Sequence, residues 1–231
     1  MNELLTKIYQ VIIEGNRYKL LINGLGVTLQ VTFFAALFGL VLGLILAFMR
    51  LNDKAEGIFR LPYILSSSYI DIIRGTPSML QLLIIYHVVF GGVKNIPAIV
   101  VAIIAFSINS SAYVAEIFRG GILAVSQGQT EAGISLGLTK FQTMRHIVFP
   151  QALKNAFPPL TNEVIVLMKE TAIVGYVALQ DLTKAGDFII SRTYNAWIPL
   201  FTVAIIYFSI IKILTKVFSS MERRLRKSDL R

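Results

Sequence analysis

The chain has no cysteine, which removes disulfides, thiolate metal sites and cysteine nucleophiles from consideration. It is also poor in charge: 15% of its 231 residues are ionised against 55% hydrophobic, a balance that argues against a soluble globular domain. No phosphate-cradling loop ending in Gly-Lys-Ser/Thr occurs, so ATP chemistry would have to be supplied by another chain. The two histidines, His87 and His146, lie far apart with no ligand set near either, so neither a metal site nor a cofactor is expected. Acidic residues number 13 against 22 basic, a net charge of +9. Such a surplus suits nucleic acid only when it forms one face of a soluble scaffold. Here the basic residues sit at the ends of apolar runs, which points away from nucleic acid.

What the chain has instead is length of apolar sequence. Leu20 to Met49 runs without one ionisable side chain, and a helical crossing needs about 20 apolar residues. That run is far longer than the apolar core of a signal peptide, so it reads as a membrane helix and not as a cleavable leader. Further uncharged runs lie between Arg74 and Lys94, between Lys94 and Glu116, and between Arg192 and Lys212. A less apolar candidate, 160–180, contains Glu163, Lys169 and Glu170, whose charges must face protein or water.

Lysine and arginine accumulate on the cytoplasmic side. With the N-terminus outside, Arg50, Lys54, Arg60, Arg119, Lys140, Arg145, Lys154 and the tail from Lys212 to Arg231 place fourteen basic residues inside. Seven remain outside, Arg74 among them, and Lys169 stays in the membrane. The stretch 57–92 must then cross once in net terms, yet as one helix it would exceed the bilayer, and Pro62 and Pro77 offer breaks. The expectation is an all-α integral membrane protein in the cell membrane. Its five transmembrane helices fall at about 20–49, 61–92 with a break, 97–118, 160–180 and 196–218, followed by a basic cytoplasmic tail, 219–231, that meets anionic lipid.

Between spans three and four, 119–158 stays inside. Within it, Gln127 to His146 carries Ile134, Leu138, Phe141, Met144 and Ile147 at spacings of three and four, with Gly137 and Pro150 as punctuation, as one short surface helix requires. Periodicity alone fits a helix that docks a soluble partner and one that rests on lipid equally well.

Glu131-Ala132-Gly133, Gly137, Ile147 and Pro150 carry the spacing of the EAA loop, with Gly133 for alanine and Phe149 for leucine as departures. The flanks add Arg74-Gly75-Thr76-Pro77 with Gln81, Ala115-Glu116-Ile117 before Arg119-Gly120-Gly121, Pro150-Gln151-Ala152 and Lys169-Glu170-Thr171. From Gly24 to the tail the chain resembles the ABC importer permeases of the polar amino-acid subfamily. The resemblance implies a cytoplasmic coupling helix, with Glu131, Ala132, Gly133 and Gly137 contacting a separate ATPase. It also implies a second permease, identical or similar, two ATP-binding subunits, an extracytoplasmic solute-binding protein and a polar amino-acid substrate, with glutamine, arginine, histidine and cystine all open.

An amino acid carries an ammonium group, and a carboxylate near it supplies a charge-assisted hydrogen bond. Glu163, beside Thr161 and Asn162 and just after Pro158-Pro159, where a helix break would free backbone groups, is the candidate, with Asn109, Ser107 and Ser110 adding polar contacts. Glu163 fits equally well as the partner of a neighbouring basic residue or as a helix cap. Gly133-Ile134-Ser135-Leu136-Gly137 matches a nucleophile-elbow pattern, but only His146 follows and no acid lies between, so an intramembrane hydrolase is not expected. Hydropathy alone leaves an ATP-independent channel or passive anchoring subunit as the alternative. Ala35, Gly39, Gly43 and Ala47, four residues apart, form a smooth stripe for close helix packing within one subunit or across a dimer.

Overall fold

The computed structural model describes residues 3–50 and 60–227; Lys54 and Arg231 of the charge count lie outside them. All regular structure among the described residues is helical. In chain order the helices are α1 (Glu3–Ile8), α2 (Tyr18–Arg50), α3 (Leu61–Arg74), α4 (Ser78–Ile84), α5 (Ala98–Leu123), α6 (Gln127–Ser135), α7 (Lys140–Thr143), α8 (Phe149–Glu170), α9 (Leu182–Thr193) and α10 (Trp197–Lys227). Wider π turns extend α1, α4 and α7, and a 3-10 stretch, Thr171–Val177, follows α8.

Among the described residues, three helices are long and apolar enough to cross a bilayer: α2, α5 and α10 over Trp197–Leu225, with mean hydropathies of 2.6, 2.0 and 2.1. A fourth candidate is the broken pair α3 and α4. The break falls at Gly75-Thr76-Pro77, not at Pro62. Pro62 occupies the first turn of α3, where a missing amide costs nothing. Gly75 closes α3 by donating its N–H to the Asp71 carbonyl at 2.9 Å, and Pro77 is extended at φ −62°, ψ 133°.

The chain divides into two compact units. One comprises 1–37, 77–107 and 165–214. Its core joins Val31 and Ala35 of α2, Leu82 of α4, Ala102 and Phe106 of α5, Leu167 of α8, and Val174 and Val177. A second cluster ties Val11, Ile12 and Leu21 to Leu182, Ile189 and Val203. Gly24 lets α2 approach the start of α9 so closely that a Cβ there would stand 2.5 Å from the Asp181 carbonyl oxygen. Thr28 locks this approach, donating to the Gly24 carbonyl at 3.1 Å and accepting the Leu182 N–H at 3.2 Å.

The other unit comprises 38–76, 108–164 and 215–231. Ala47, Ile70, Ala112, Val114, Ala115, Phe118 and Ala156 form its core. The small-residue stripe of α2 works within the subunit here: a Cβ on Gly43 would lie 2.5 Å from Val114 and 2.8 Å from the Ser111 carbonyl. Gly121 does the same for the start of α8, where the Ala152 carbonyl would meet a Cβ at 2.7 Å.

Two expectations are corrected. The stretch Gln127 to His146 is not one helix: α6 ends at Ser135 and α7 begins at Lys140. Gly137 takes the left-handed conformation at φ +84°, and the Leu138 and Gly137 amides bond back to the Gly133 and Ile134 carbonyls at 3.1 and 2.9 Å, a Schellman stop. Thr139 then opens α7 with a reciprocal capping box to Gln142. Nor does the chain break at Pro158-Pro159, since both lie inside α8. They withhold amides that would bond the Lys154 and Asn155 carbonyls. Packing at the buried Ala152, Ala156, Leu167 and Met168 holds the helix on either side, and the Thr161 hydroxyl turns back to the Pro158 carbonyl at 2.8 Å.

Candidate translocation path and coupling surface

Polar side chains of α5 face α3 and α8 within the second unit. Ser110 is buried and its hydroxyl donates to Glu163 Oε1 at 3.1 Å, joining the middle of α5 to α8. One residue on, the Ser111 hydroxyl lies 2.8 Å from the Tyr69 hydroxyl, which also donates to the Ile108 carbonyl at 2.8 Å. Glu163 is half-buried, Asn162 exposed, and Asn109 buried. Two of the expected residues are turned to their own helices: Ser107 donates to the Ile103 carbonyl at 2.6 Å and Thr161 to Pro158. Serine and threonine in apolar helices satisfy themselves this way, so Glu163 with Ser110 is the pair the fold brings together.

A second polar centre was not anticipated. Glu116, the only acid in α5, is the meeting point of three arginines. Arg119 reaches it at 2.8 Å, Arg74 at 3.6 Å and Arg50 in close contact, while Asp71 stands 3.9 Å from Arg50. The Arg74 guanidinium also sits over the Tyr113 ring at 5.5 Å, a cation–π distance. Arg74 therefore stands beside Arg50 and Arg119 at Glu116. The charge count had put it on the opposite side, because parity along 57–92 says nothing of how far α3 advances before the break. The signal was present as basic residues at the ends of three apolar runs facing one acid. The partners are 42 and 66 residues apart in sequence.

The loop between α5 and α8 presents a second surface. Glu131 and Ala132 are exposed on α6, whereas Gly133 is buried because α7 packs against it: a Cβ there would be 2.7 Å from Thr143 and 2.9 Å from Ile147. Glycine in place of alanine is thus what lets the two short helices touch. Leu136 is 80% and Phe141 72% exposed beside Gly137, apolar side chains standing out of a polar loop. Gln151 steadies the base, donating to the Ile147 carbonyl at 2.9 Å and to Gln129 at 3.4 Å.

The model of the binding-protein-dependent transport system inner membrane component family matches residues 39–227. The chain belongs to this family. Relatives agree along nearly the whole length. The putative glutamine transport system permease GlnP of Rickettsia felis is 36% identical over 97% of this chain and 99% of its own. The arginine transport system permease ArtQ of Bacillus subtilis is 37% identical over 90% and 94%. Among solved structures, an amino acid ABC transporter crystallised with histidines superposes with a TM-score of 0.83 at 44% identity, covering 90% of this chain and 94% of that one. A methionine transporter, MetNI, shares the fold at a TM-score of 0.74 and 24% identity, covering 89% and 96%. The chain is accordingly a multi-pass permease subunit of an ABC importer, a transport component and not an enzyme, and its family works with ATP-binding subunits and a substrate-binding protein.

Proposed function

We propose that the chain forms the translocation path for a polar amino acid, with Glu163 as the ligand for the substrate ammonium and Ser110 orienting that carboxylate. The observation that carries this is the Ser110–Glu163 hydrogen bond, a carboxylate held half-buried between α5 and α8. A charged group on a membrane helix is costly and is retained for a function. Asn162 and Asn109 flank the same stretches and add polar contacts; Thr161 and Ser107 act on the backbone. The permease names of the relatives, glutamine and arginine, support a polar substrate.

The chain crosses five times with its N-terminus outside. Span four combines the end of α8 from Leu160 with the 3-10 stretch to Val177. At about 1.5 and 2.0 Å per residue these reach about 30 Å, the hydrocarbon thickness. Moving Arg74 beside Arg50 and Arg119 raises the inside count to fifteen and lowers the outside to six, which supports the same orientation. α6 is the coupling helix: Glu131 and Ala132, with exposed Leu136 and Phe141, dock on the ATPase, Gly133 clamps α6 to α7, and Gly137 fixes the turn between them. A second permease, identical or similar, completes the path, and its alternation between two states is driven by differential binding.

The test is ATP-dependent uptake of a labelled amino-acid panel into proteoliposomes holding the full importer with its binding protein. Glu163→Gln is expected to cut uptake at least tenfold while ATP hydrolysis persists, and Gly137→Val to uncouple hydrolysis from uptake. Unchanged uptake in Glu163→Gln would remove that residue from the path, and flux without ATP would make the chain a channel.

A further inference from the structure

A cavity of about 320 Å³ lies within the first unit, between the 3-10 stretch after α8 and the first turns of α9. That volume is at the lower end of the range for small-ligand sites, about 300–1,000 Å³. Ala172 and Gly175 line one side and Thr183, Lys184 and Asp187 the other, with Tyr176, 66% exposed, beside them.

The α9 side is firmly built. The Leu182 amide donates to the Thr28 hydroxyl at 3.2 Å, and buried Asp181 accepts the Thr183 and Lys184 amides at 3.1 and 2.9 Å. The first three amides of α9 are thereby taken, so recognition of a ligand falls to side chains. The Thr183 hydroxyl lies 3.3 Å from that of Tyr207. Gly175 lets the Lys184 stem lie against the 3-10 stretch, since a Cβ there would be 3.2 Å from Lys184 Cδ and 3.3 Å from its Cβ. At the end of that stem Lys184 Nζ stands 3.6 Å from Asp187 Oδ2, beyond hydrogen-bond distance, with the two side chains 40% and 52% exposed. An exposed pair of this kind contributes little to stability, so parting it for a ligand costs little.

An ammonium and a carboxylate held side by side match a molecule that carries the opposite pair. A simple anion would face Asp187, and a simple cation would face Lys184. A zwitterion with its two charges close together lies antiparallel to the pair and satisfies both through charge-assisted hydrogen bonds. We propose that this cavity is an entry subsite for an α-amino acid, with Lys184 holding its carboxylate and Asp187 its ammonium. The subsite reads only the groups that all α-amino acids share, so it does not select among side chains. The inference rests on the importer reading and on the outward N-terminus, under which span four ends at the extracytoplasmic face; it does not depend on Glu163.

Because the protein has no cysteine, Tyr176→Cys gives the chain a single thiol at the cavity. The full importer carrying it is placed in phosphatidylglycerol vesicles, and modification of the permease chain by an impermeant thiol reagent is timed. Two exposed charge-assisted bonds make a site of about 1 mM, so about 10 mM glutamine should slow labelling about tenfold. Arginine and histidine should do the same. Glutaminamide, which lacks the carboxylate, and glutaramic acid, which lacks the ammonium, should leave the rate nearly unchanged. Lys184→Met should abolish protection by glutamine, Lys184→Arg should keep it, and Glu163→Gln should not alter it. Protection that survives Lys184→Met, or that glutaminamide gives equally, would overturn the subsite, as would a reachable thiol that no amino acid protects. A phosphatidylethanolamine headgroup also carries an ammonium and an anion. Slower labelling when that lipid is added, with no further effect of glutamine, would assign the cavity to lipid and overturn the entry role. Labelling only in inverted cell vesicles, and not on intact cells, would sink the orientation and the subsite with it. Intact protection beside undiminished uptake in Glu163→Gln would remove Glu163 from the path and leave the subsite standing.

Discussion

Buried hydroxyls turn to backbone carbonyls in both units, as at Thr28 and at Ser111, but the two units hold their acids by different means. In the unit of 1–37, 77–107 and 165–214, Thr28, Thr32 and Thr171 are buried and each hydroxyl donates to a backbone carbonyl, those of Gly24, Thr28 and Met168, at 2.8 to 3.1 Å. Its one fully buried acid, Asp181, caps α9 by accepting the Thr183 and Lys184 amides at 3.1 and 2.9 Å. In the other unit, ionised side chains meet one another across three helices at Glu116. Hydroxyl-to-backbone bonds close locally, so losing one is a local loss. A carboxylate shared by three guanidinium groups has no local substitute, because removing it sets three cations facing one another.

The largest break in this comparison should therefore come from Glu116→Gln. Breaking a buried ion pair by removing one partner costs about 3–5 kcal/mol, and partial exposure of Arg74 and Arg119 lowers that to about 2–3 kcal/mol. The melting temperature of the detergent-solubilised permease should drop by several degrees, with Glu116→Asp recovering much of it. A melt no worse than that of Thr32→Val would erase the distinction between the units.

Close approach of helices gives the next effect. Gly24→Ala puts a Cβ 2.5 Å from a backbone oxygen of Asp181, which cannot give way. Gly43→Ala meets Val114 Cγ1 and Cβ at 2.5 and 2.6 Å and the Ser111 carbonyl oxygen at 2.8 Å, of which only the valine side chain can give, and only in part. Overpacking of this sort costs about 1–3 kcal/mol, with Gly24→Ala at the upper end. Because alanine at 114 keeps the Cβ at 2.6 Å and the Ser111 carbonyl stays at 2.8 Å, adding Val114→Ala should recover only a small part of the Gly43→Ala loss in the same melting assay, and no partner should rescue Gly24→Ala. Smaller again is Thr28→Val, which leaves the Leu182 amide without its hydroxyl acceptor at a cost of about 1–2 kcal/mol.

Contrasts of this kind mark the limit of what the sequence discloses. Apolar runs located α2, α5 and α10, because burial in lipid demands continuous apolar residues whatever the tertiary packing. The stripe through Gly43 was legible from its spacing, whereas Gly137 was read as punctuation within one helix and its left-handed conformation, which a glycine supplies without strain, in fact ends α6. Glu163 and Ser110 were both named, yet their contact joins residues 53 apart and needed the fold. Pro158-Pro159 misled because a local rule about amides was overridden by packing along α8. The Glu116 cluster was missed altogether: each arginine reads separately as a membrane-end charge, and only the crossing of α2, α3 and α5 gathers them.

The smallest expected effect is also the most diagnostic for the first unit. Burial pushes the Asp181 carboxyl above the ordinary carboxylate range, and the amides of Lys184 and Thr183 offset this only in part. Between its unfolded value and the raised one, the folded chain holds a proton that the unfolded chain has released. Stability therefore falls as pH rises through that window, by at most about 1.4 kcal/mol per pH unit for one proton. The expected melting profile of the solubilised permease is highest at the acid edge of the window and declines across it. Asp181→Asn, which keeps an oxygen for the α9 cap but cannot titrate, should flatten that decline. A variant whose profile keeps the slope would mean that Asp181 is ionised without penalty, and that the first unit solvates a charge as readily as the second.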